Sequence, residues 1–270
     1  MADLARLSLN QMTVRSLRVS QVAELCRRHG IAQVGLWREP VAQTGVKESA
    51  RVIQDAGLHV SSLCRGGFFP AETEAGRRER LDDNRRAVEE AAELGADTLV
   101  LVCGGIPGHD LEAARRMVAD AVHQLTHFAR AHGVRLGVEP LHPMYAATRS
   151  VVNTVAQALA IVADLPESQV GVVLDVYHVW WDPDLYRQIE QARGRIFGFH
   201  VCDWLDPLPD VLNGRGMMGD GFCDIPRIRH AVEQAGYAGP IEVEIFNDQI
   251  WAMPPDELIA LMKERFQTSV

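Results

Sequence analysis

The feature that most restricts how this chain can fold is a repeated unit. An amphipathic helical pattern stops at a glycine, and a short apolar run follows within a few residues. "ELCRRHG" leads into "IAQVGLW", "RVIQDAG" into "LHVSSLC", "EEAAELG" into "ADTLVLV", "FARAHG" into "VRLGVEP" and "HAVEQAG" into "YAGPIEVEIF". Glycine just beyond a helix adopts the left-handed conformation that closes the last turn. The runs that follow are too short for buried helices and read as strands covered on both faces. Strands are expected at 7–9, 34–37, 60–63, 98–103, 135–139, 170–175, 196–201 and 241–246, with helices between them and one after the last. Eight strands alternating with helices require a parallel sheet. At 270 residues, with no Pro-, Gly- or Ser-rich linker, the expectation is a single domain over 1–270, an α/β fold closed as a (β/α)8 TIM barrel rather than an open doubly wound sheet.

Several function classes drop out. No G-x-G-x-x-G follows the first strand and no G-x-x-x-x-G-K-[ST] occurs, so neither common nucleotide loop is supported. The formal charge is −9 and the pI about 5.6, against the basic surplus that phosphate contacts demand of a nucleic-acid binder. The densest basic run, "GRRERLDDNRR", is diluted by acids and reads as a solvated helix face. The opening "MADLARLSLNQM" lacks a basic-then-apolar signal pattern, and no apolar run approaches membrane-spanning length. Five cysteines without C-x-x-C spacing suit a reducing compartment rather than a disulfide frame or a structural zinc site. A soluble cytoplasmic protein without nucleic-acid or membrane partners is expected.

The C-terminal ends of barrel strands open onto one face, where barrel active sites sit. Strand five ends "RLGVEPLHP", delivering Glu139 and His142; strand six ends "VVLDVYH", delivering Asp175 and His178. Strand seven ends "IFGFHVCD", with His200 and Asp203, and strand eight "IEVEIF", with Glu242 and Glu244. Glu242 and Glu244 share a strand face; Glu244 is placed at the rim and Glu242 a layer lower, beside a basic partner. Three carboxylates and an imidazole on adjacent strands suit a hard or borderline divalent cation, since without one the crowded anions repel and take up protons. Asp182, followed by Pro183, reads as a helix N-cap. The irregular stretch 202–223 follows strand seven on the same face, and a loop that long in a compact domain is usually functional or disordered.

"VEPL", "LDVYH", "GFHVCD", "NGRGMMGDG" and "GPIEVEIF", in that order and spacing, resemble the xylose-isomerase-like barrel superfamily. Within it the likeness is to the sugar phosphate isomerase/epimerase group, which includes ketose 3-epimerases and inosose dehydratases. The resemblance implies one divalent metal, Mn²⁺ foremost, with Mg²⁺, Co²⁺ or Zn²⁺ as alternatives. It makes Glu139, Asp175, His200 and Glu244 the ligands and Glu139 and Glu244 the acid/base pair. The implied activity is isomerisation or epimerisation of a ketose or keto-sugar, by α-proton abstraction through an enediolate held on the metal.

His178 and Arg215 match substrate-oxygen contacts, and Gly219-Asp220-Gly221 matches the turn that ends the loop after strand seven. The chain departs from the epimerase pattern at "GLWREP" and "EPLHPMY". Trp37, Arg65 and His142 are therefore read as shaping a different sugar pocket. Trp37, Trp180 and Trp181 are equally readable as packing residues. The rival activity is a lyase acting on a keto-cyclitol or 3-keto-glycoside, with His142 or Tyr145 protonating the leaving group. The three-zinc endonucleases of the superfamily need further histidines that are missing from "SSLCRGGFF", "VLVCGG" and "NGR". No basic cluster marks a phosphate pocket at a late strand end, so an unphosphorylated sugar or cyclitol is expected as the partner, with a homo-oligomer as the general prior.

Overall fold

Eight strands close into a parallel barrel in the computed structural model, which describes residues 2–270. They are β1 (Leu7–Asn10), β2 (Gln33–Trp37), β3 (His59–Gly67), β4 (Thr98–Val102), β5 (Arg135–Glu139), β6 (Val170–Asp175), β7 (Ile196–Val201) and β10 (Ile241–Val243). The ring runs β1-β10-β7-β6-β5-β4-β3-β2 and returns to β1. Around it lie α1 (Val19–His29), α3 (Val46–Asp55), α4 (Glu74–Leu94), α5 (Leu111–Ala131), α6 (Val155–Val162), α8 (Leu185–Gln191), α9 (Ile225–Gln234) and α11 (Pro255–Ser269). Shorter helices are α2 (Arg38–Thr44), α7 (Val176–Val179) and α10 (Asp248–Trp251). This is the (β/α)8 barrel expected from the repeat. The glycines that ended its five helical patterns, Gly30, Gly57, Gly95, Gly133 and Gly236, all have positive φ.

The main apolar core fills the layer between strands and helices. Inside the barrel a small separate cluster, Cys64, Val100 and Val173, forms one apolar layer. The rest of the interior is polar, with Ser8, Asn10, Ser61, Ser62, Thr98, His200 and Glu242 all buried. A barrel interior is ordinarily a packed stack of branched apolar side chains, so this polarity marks where the chain gives up packing for chemistry. Gly35 makes room for it: a Cβ there would lie 2.1 Å from Glu242 Oε1.

Three local expectations need correction. β3 runs on to Gly67 because Asn84 of α4 clamps its end, accepting from Gly67 N at 2.6 Å and donating to Gly67 O at 2.7 Å. Asn84 belongs to the charged run read as solvated; it and Leu81 are buried while most of their neighbours face water. β10 stops at Val243 because Thr13 Oγ1 takes over the ladder, donating to Val243 O at 2.9 Å and accepting from Ile245 N at 3.0 Å. Asp182 does not cap α8, which begins at Leu185. Its carboxylate accepts from Asp184 N and Gln188 Nε2, both at 2.9 Å, and so builds the turn before the helix.

The stretch 202–223 is ordered by a two-stranded antiparallel pair, β8 (Asp203–Trp204) and β9 (Arg215–Gly216). Asp203 ties its two ends together, accepting from Gly219 N, Cys223 N and Trp204 N at 2.9 Å each. That pairing carries Arg215 back over the strand ends. Among the described residues no helix is long and apolar enough to cross a membrane.

Candidate active site

Barrel register brings the acid and imidazole side chains together. Asp175 is the Cα partner of His200, and His200 that of Glu242. Glu139 ends β5, and Glu244 follows β10, and these two strands flank β6 and β7 in the ring. Glu139, Asp175, His200 and Glu244 are all buried, and one ligand atom from each lies within 4.8 Å of all the others. His200 Nδ1 is buried without a hydrogen-bond partner, 3.7 Å from Glu139 Oε1 and 3.8 Å from Glu244 Oε2. An orphaned imidazole nitrogen among three carboxylates is costly unless it finds a partner. One nitrogen and three carboxylate oxygens are a donor set that fits a divalent cation of the Mn²⁺ or Zn²⁺ kind. The other ring nitrogen, Nε2, faces Glu242 Oε1 at 3.7 Å, the carboxylate-behind-histidine arrangement that orients a ligating ring.

Among the described residues no arginine or lysine pairs with Glu242; the basic group beside it is the His200 ring, with Nε2 3.7 Å from Oε1. Its carboxylate accepts from Asn10 Nδ2 at 2.6 Å, Ser61 Oγ at 2.7 Å and Ser62 Oγ at 3.0 Å. Small hydroxyls and an amide hold the rest of the charge. Asn10 also donates to Glu244 Oε1 at 3.0 Å, while its own oxygen accepts from Trp37 Nε1 at 3.0 Å and Met12 N at 2.9 Å. Asn10 thus ties the lower carboxylate to the rim carboxylate. Sequence reading missed it by ending the first strand one residue early.

Arg215 supplies the positive charge. Its Nη1 donates to Asp175 Oδ2 at 2.8 Å and Glu244 Oε2 at 2.9 Å, and its guanidinium lies between the rings of Tyr177 and Phe246. Its Nη2 is 3.3 Å from His178 Nε2. Burial, reinforced by Arg215, pushes the His178 imidazole far down, so it is neutral. Burial raises the Glu139 carboxyl to about 8. Glu244 is also buried, but Arg215 and His200 outweigh that and hold it at about 2. For His200 burial works against the charged form, yet Glu242, Glu244 and Glu139 lift it to about 10.

A cation that takes both Glu139 and His200 must displace their protons near neutral pH. Titration of Mn²⁺ at pH 7 in buffers of different ionisation enthalpy should therefore report release of about two protons per ion, and affinity should climb as pH rises towards about 8 and, less steeply, beyond it. An enthalpy independent of buffer would count against this ligand set.

The pocket over these groups is lined by Trp37, Cys64, Arg65, Val102, Leu141, Tyr145, Arg149, His178, Leu212 and Phe246, together with Glu139, Arg215 and Glu244. Of the residues expected to contact substrate, Trp37, Arg65, His178 and Arg215 are on this wall. His142 is not brought to it. It caps the short 3₁₀ turn Pro143–Tyr145, accepting from Met144 N at 3.2 Å, and packs against Trp181 and Trp204. Trp180 and Trp181 also lie off the pocket; Trp180 packs on Trp204, and Trp181 donates to His178 O. The Tyr145 and Tyr177 hydroxyls both donate to Val211 O and strap the loop over the site. Arg149, in a loop with no motif around it, was not legible beforehand.

A family model described as xylose isomerase-like TIM barrel matches residues 23–266. The chain belongs to this family. A 3-dehydroshikimate dehydratase of Pseudomonas aeruginosa is 33% identical over 77% of this chain, which spans about a third of that relative's length (32%). An inosose isomerase of Bacillus velezensis is 25% identical over 96% of this chain and 94% of its own. Among solved structures, protein SMc04130 of Sinorhizobium meliloti 1021 superposes with a TM-score of 0.96, at 50% identity and 99% coverage of both chains. This xylose isomerase-like barrel stands among isomerases, epimerases and dehydratases, and it is an enzyme.

Proposed function

We propose that this barrel is a divalent-cation-dependent enzyme that removes a proton next to the carbonyl of a polyhydroxylated keto compound and returns it elsewhere, as an isomerase or epimerase. The observation that carries this is the pair Glu139 and Glu244. Both are buried in one pocket, and they reach the shared cluster from strands separated by β6 and β7. Two carboxylates approaching one reacting carbon from different sides are what is needed to take a proton from one face and deliver one to the other. A cation held by Glu139, Asp175, His200 and Glu244, with Mn²⁺ the reading preferred here, would supply Lewis-acid polarisation of a substrate oxygen.

The remaining steps belong to the chain's own groups. Neutral His178 and charged Arg215 sit side by side and are placed to hold substrate hydroxyl or carbonyl oxygens. Asn10 on Oε1 and Arg215 on Oε2 fix the Glu244 carboxylate in one orientation. Leu212, Trp37 and Phe246 line the pocket with apolar surface and limit access of water, which strengthens each charged contact. The P. aeruginosa relative favours a second reading, a dehydratase. There the same proton is lost to a carboxylate, the C–O bond to a β-hydroxyl breaks, and the departing oxygen takes a proton and leaves as water.

The test is solvent exchange. The purified protein with Mn²⁺ is incubated in D₂O with ketoses, keto-cyclitols, 3-keto-glycosides and 3-dehydroshikimate, with a metal-stripped control. Metal-dependent gain of one deuteron at unchanged composition supports the isomerase or epimerase. Loss of water or of an aglycone supports the lyase. No metal-dependent change in any of them overturns the proposal.

A further inference from the structure

The pocket holds three arginines, and only one of them is used by the acidic cluster. Arg215 is paired through Nη1 with Asp175 and Glu244, although its own Nε is also buried without a partner. Arg65 and Arg149 line the same pocket without such partners. Arg65 meets a single carboxylate, that of Glu39, at 3.6 Å; Glu39 is 58% exposed, and a contact that long and wet holds little. Arg65 Nε is buried with no hydrogen-bond partner. Among the described residues Arg149 has no carboxylate within ion-pair distance, and its guanidinium donates no hydrogen bond to the protein. Burial, and after it the charge of Arg65, holds the Arg149 guanidinium below its ordinary value. Two like charges drawn into one pocket wall are unfavourable unless an anion joins them.

The Arg65 side chain and the Arg149 backbone are both anchored. The Arg65 guanidinium lies 4.4 Å from the centre of the Phe68 ring, and Phe68 has φ +54°, a conformation non-glycine residues seldom adopt. That turn is kept by Phe68 N donating to Val102 O at 2.7 Å and by the Asn84 clamp on Gly67. The Arg149 backbone is tied to the end of β4 through Gly104 N, which donates to Arg149 O at 2.8 Å. Both arginines are partly exposed where Glu139 and Glu244 are buried, which places them nearer the mouth.

We propose that Arg65 and Arg149 form an oxyanion subsite, and that the substrate of this enzyme carries a carboxylate or phosphate at the end remote from its reacting carbonyl. Planar guanidinium forks match carboxylate and phosphate oxygens in paired hydrogen bonds. The subsite stands on β3 and on the loop after β5; the sequence pointed to Arg65 as a pocket residue but not to Arg149, nor to their pairing. The inference rests on the proposed keto-compound chemistry only for which end of the ligand faces Glu139 and Glu244.

Equilibrium binding to the Mn²⁺-loaded protein tests it with three probes: 3-dehydroshikimate (carboxylate), L-ribulose 5-phosphate (phosphate) and D-allulose (neutral). One of the two anions is expected to bind, and which one identifies the anionic group. Arg65→Met and Arg149→Met should each weaken it at least tenfold, and Arg65→Lys less than Arg65→Met. If the probe turns over, the loss should fall on KM with kcat kept within about threefold. Mn²⁺ affinity should be unchanged in all three variants, which shows that the pocket still folds. Failure of both anions to bind, equal binding of D-allulose, or indifference of the anion to both Met variants overturns the subsite. Because binding is read without chemistry, an anion that binds but exchanges no deuterium leaves the subsite standing and removes the proton-abstraction reading. Exchange confined to neutral sugars does the reverse.

Discussion

Glu244→Gln is expected to slow α-proton exchange by at least about 10²-fold, and up to about 10⁴-fold, the range typical of a lost general acid or base. Glutamine keeps the size of the side chain and an oxygen for a cation, and it can still accept from Arg215 Nη1, which now lies 2.9 Å from Glu244 Oε2. What it loses is the ability to take a proton. With its oxygen towards Arg215, the amide NH2 faces Asn10 Nδ2, now 3.0 Å from Glu244 Oε1, so this one contact is lost. The variant therefore tests proton transfer more than assembly, provided bound Mn²⁺ is measured alongside. Exchange near the wild-type rate with Mn²⁺ still bound would remove Glu244 from the acid/base pair. Glu139→Gln should behave alike if the two share the work.

The second large effect is on stability. Arg215→Met should cost about 3–5 kcal/mol in the metal-free protein, the usual penalty for removing one partner from a buried ion pair. The side chain is 7% exposed and stands between Asp175, fully buried, and Glu244, 5% exposed. Methionine fills much of the volume between Tyr177 and Phe246 but leaves two carboxylates without their cation. The pH dependence follows from Glu244, held at about 2 mainly because Arg215 and His200 outweigh its burial. A carboxyl depressed in the folded state contributes stability that is present above its unfolded value and lost as pH falls towards 2. The difference between wild type and variant should thus be largest near neutrality and shrink on acidification. Saturating Mn²⁺ should recover part of the loss, since a cation on Asp175 and Glu244 replaces the missing charge. Urea unfolding at pH 7 and pH 4, with and without Mn²⁺, measures all of this; a neutral-pH difference under about 1 kcal/mol would show that the pair is not worth what buried pairs usually are.

The barrel and the gathering of Glu139, Asp175, His200 and Glu244 could be read in advance because each rests on a local rule. The β5, β6 and β7 boundaries coincide with the expected ones, since short, largely apolar runs that end at the next acid or loop leave little choice. The four residues of the cluster were found by reading only strand ends, a restriction that the parallel closed sheet justifies. Asp182 shows where a local rule fails: Asp-Pro is a good cap signal, but Gln188 competes for the carboxylate from the next turn. His142 shows another failure. Its place two residues after a strand end suited a pocket residue, yet Trp181 and Trp204 lie beside it and its ring packs against them instead.

The amino-acid sequence by itself determined the helix–glycine–strand period, hence eight parallel strands, one functional rim, and the acids and imidazole standing on it. Only the tertiary structure decided what surrounds them. Ser61, Ser62 and Asn10 come to Glu242 from strands separated from it by about 180 to 230 residues of chain. Arg65 and Arg149 share a wall although they lie on different strand–loop units. Periodicity and capping are encoded between neighbours in the chain and survive without the fold. The partner of a buried charge is set by which distant side chains closure of the barrel carries within a few ångströms, and no spacing in the sequence records that distance.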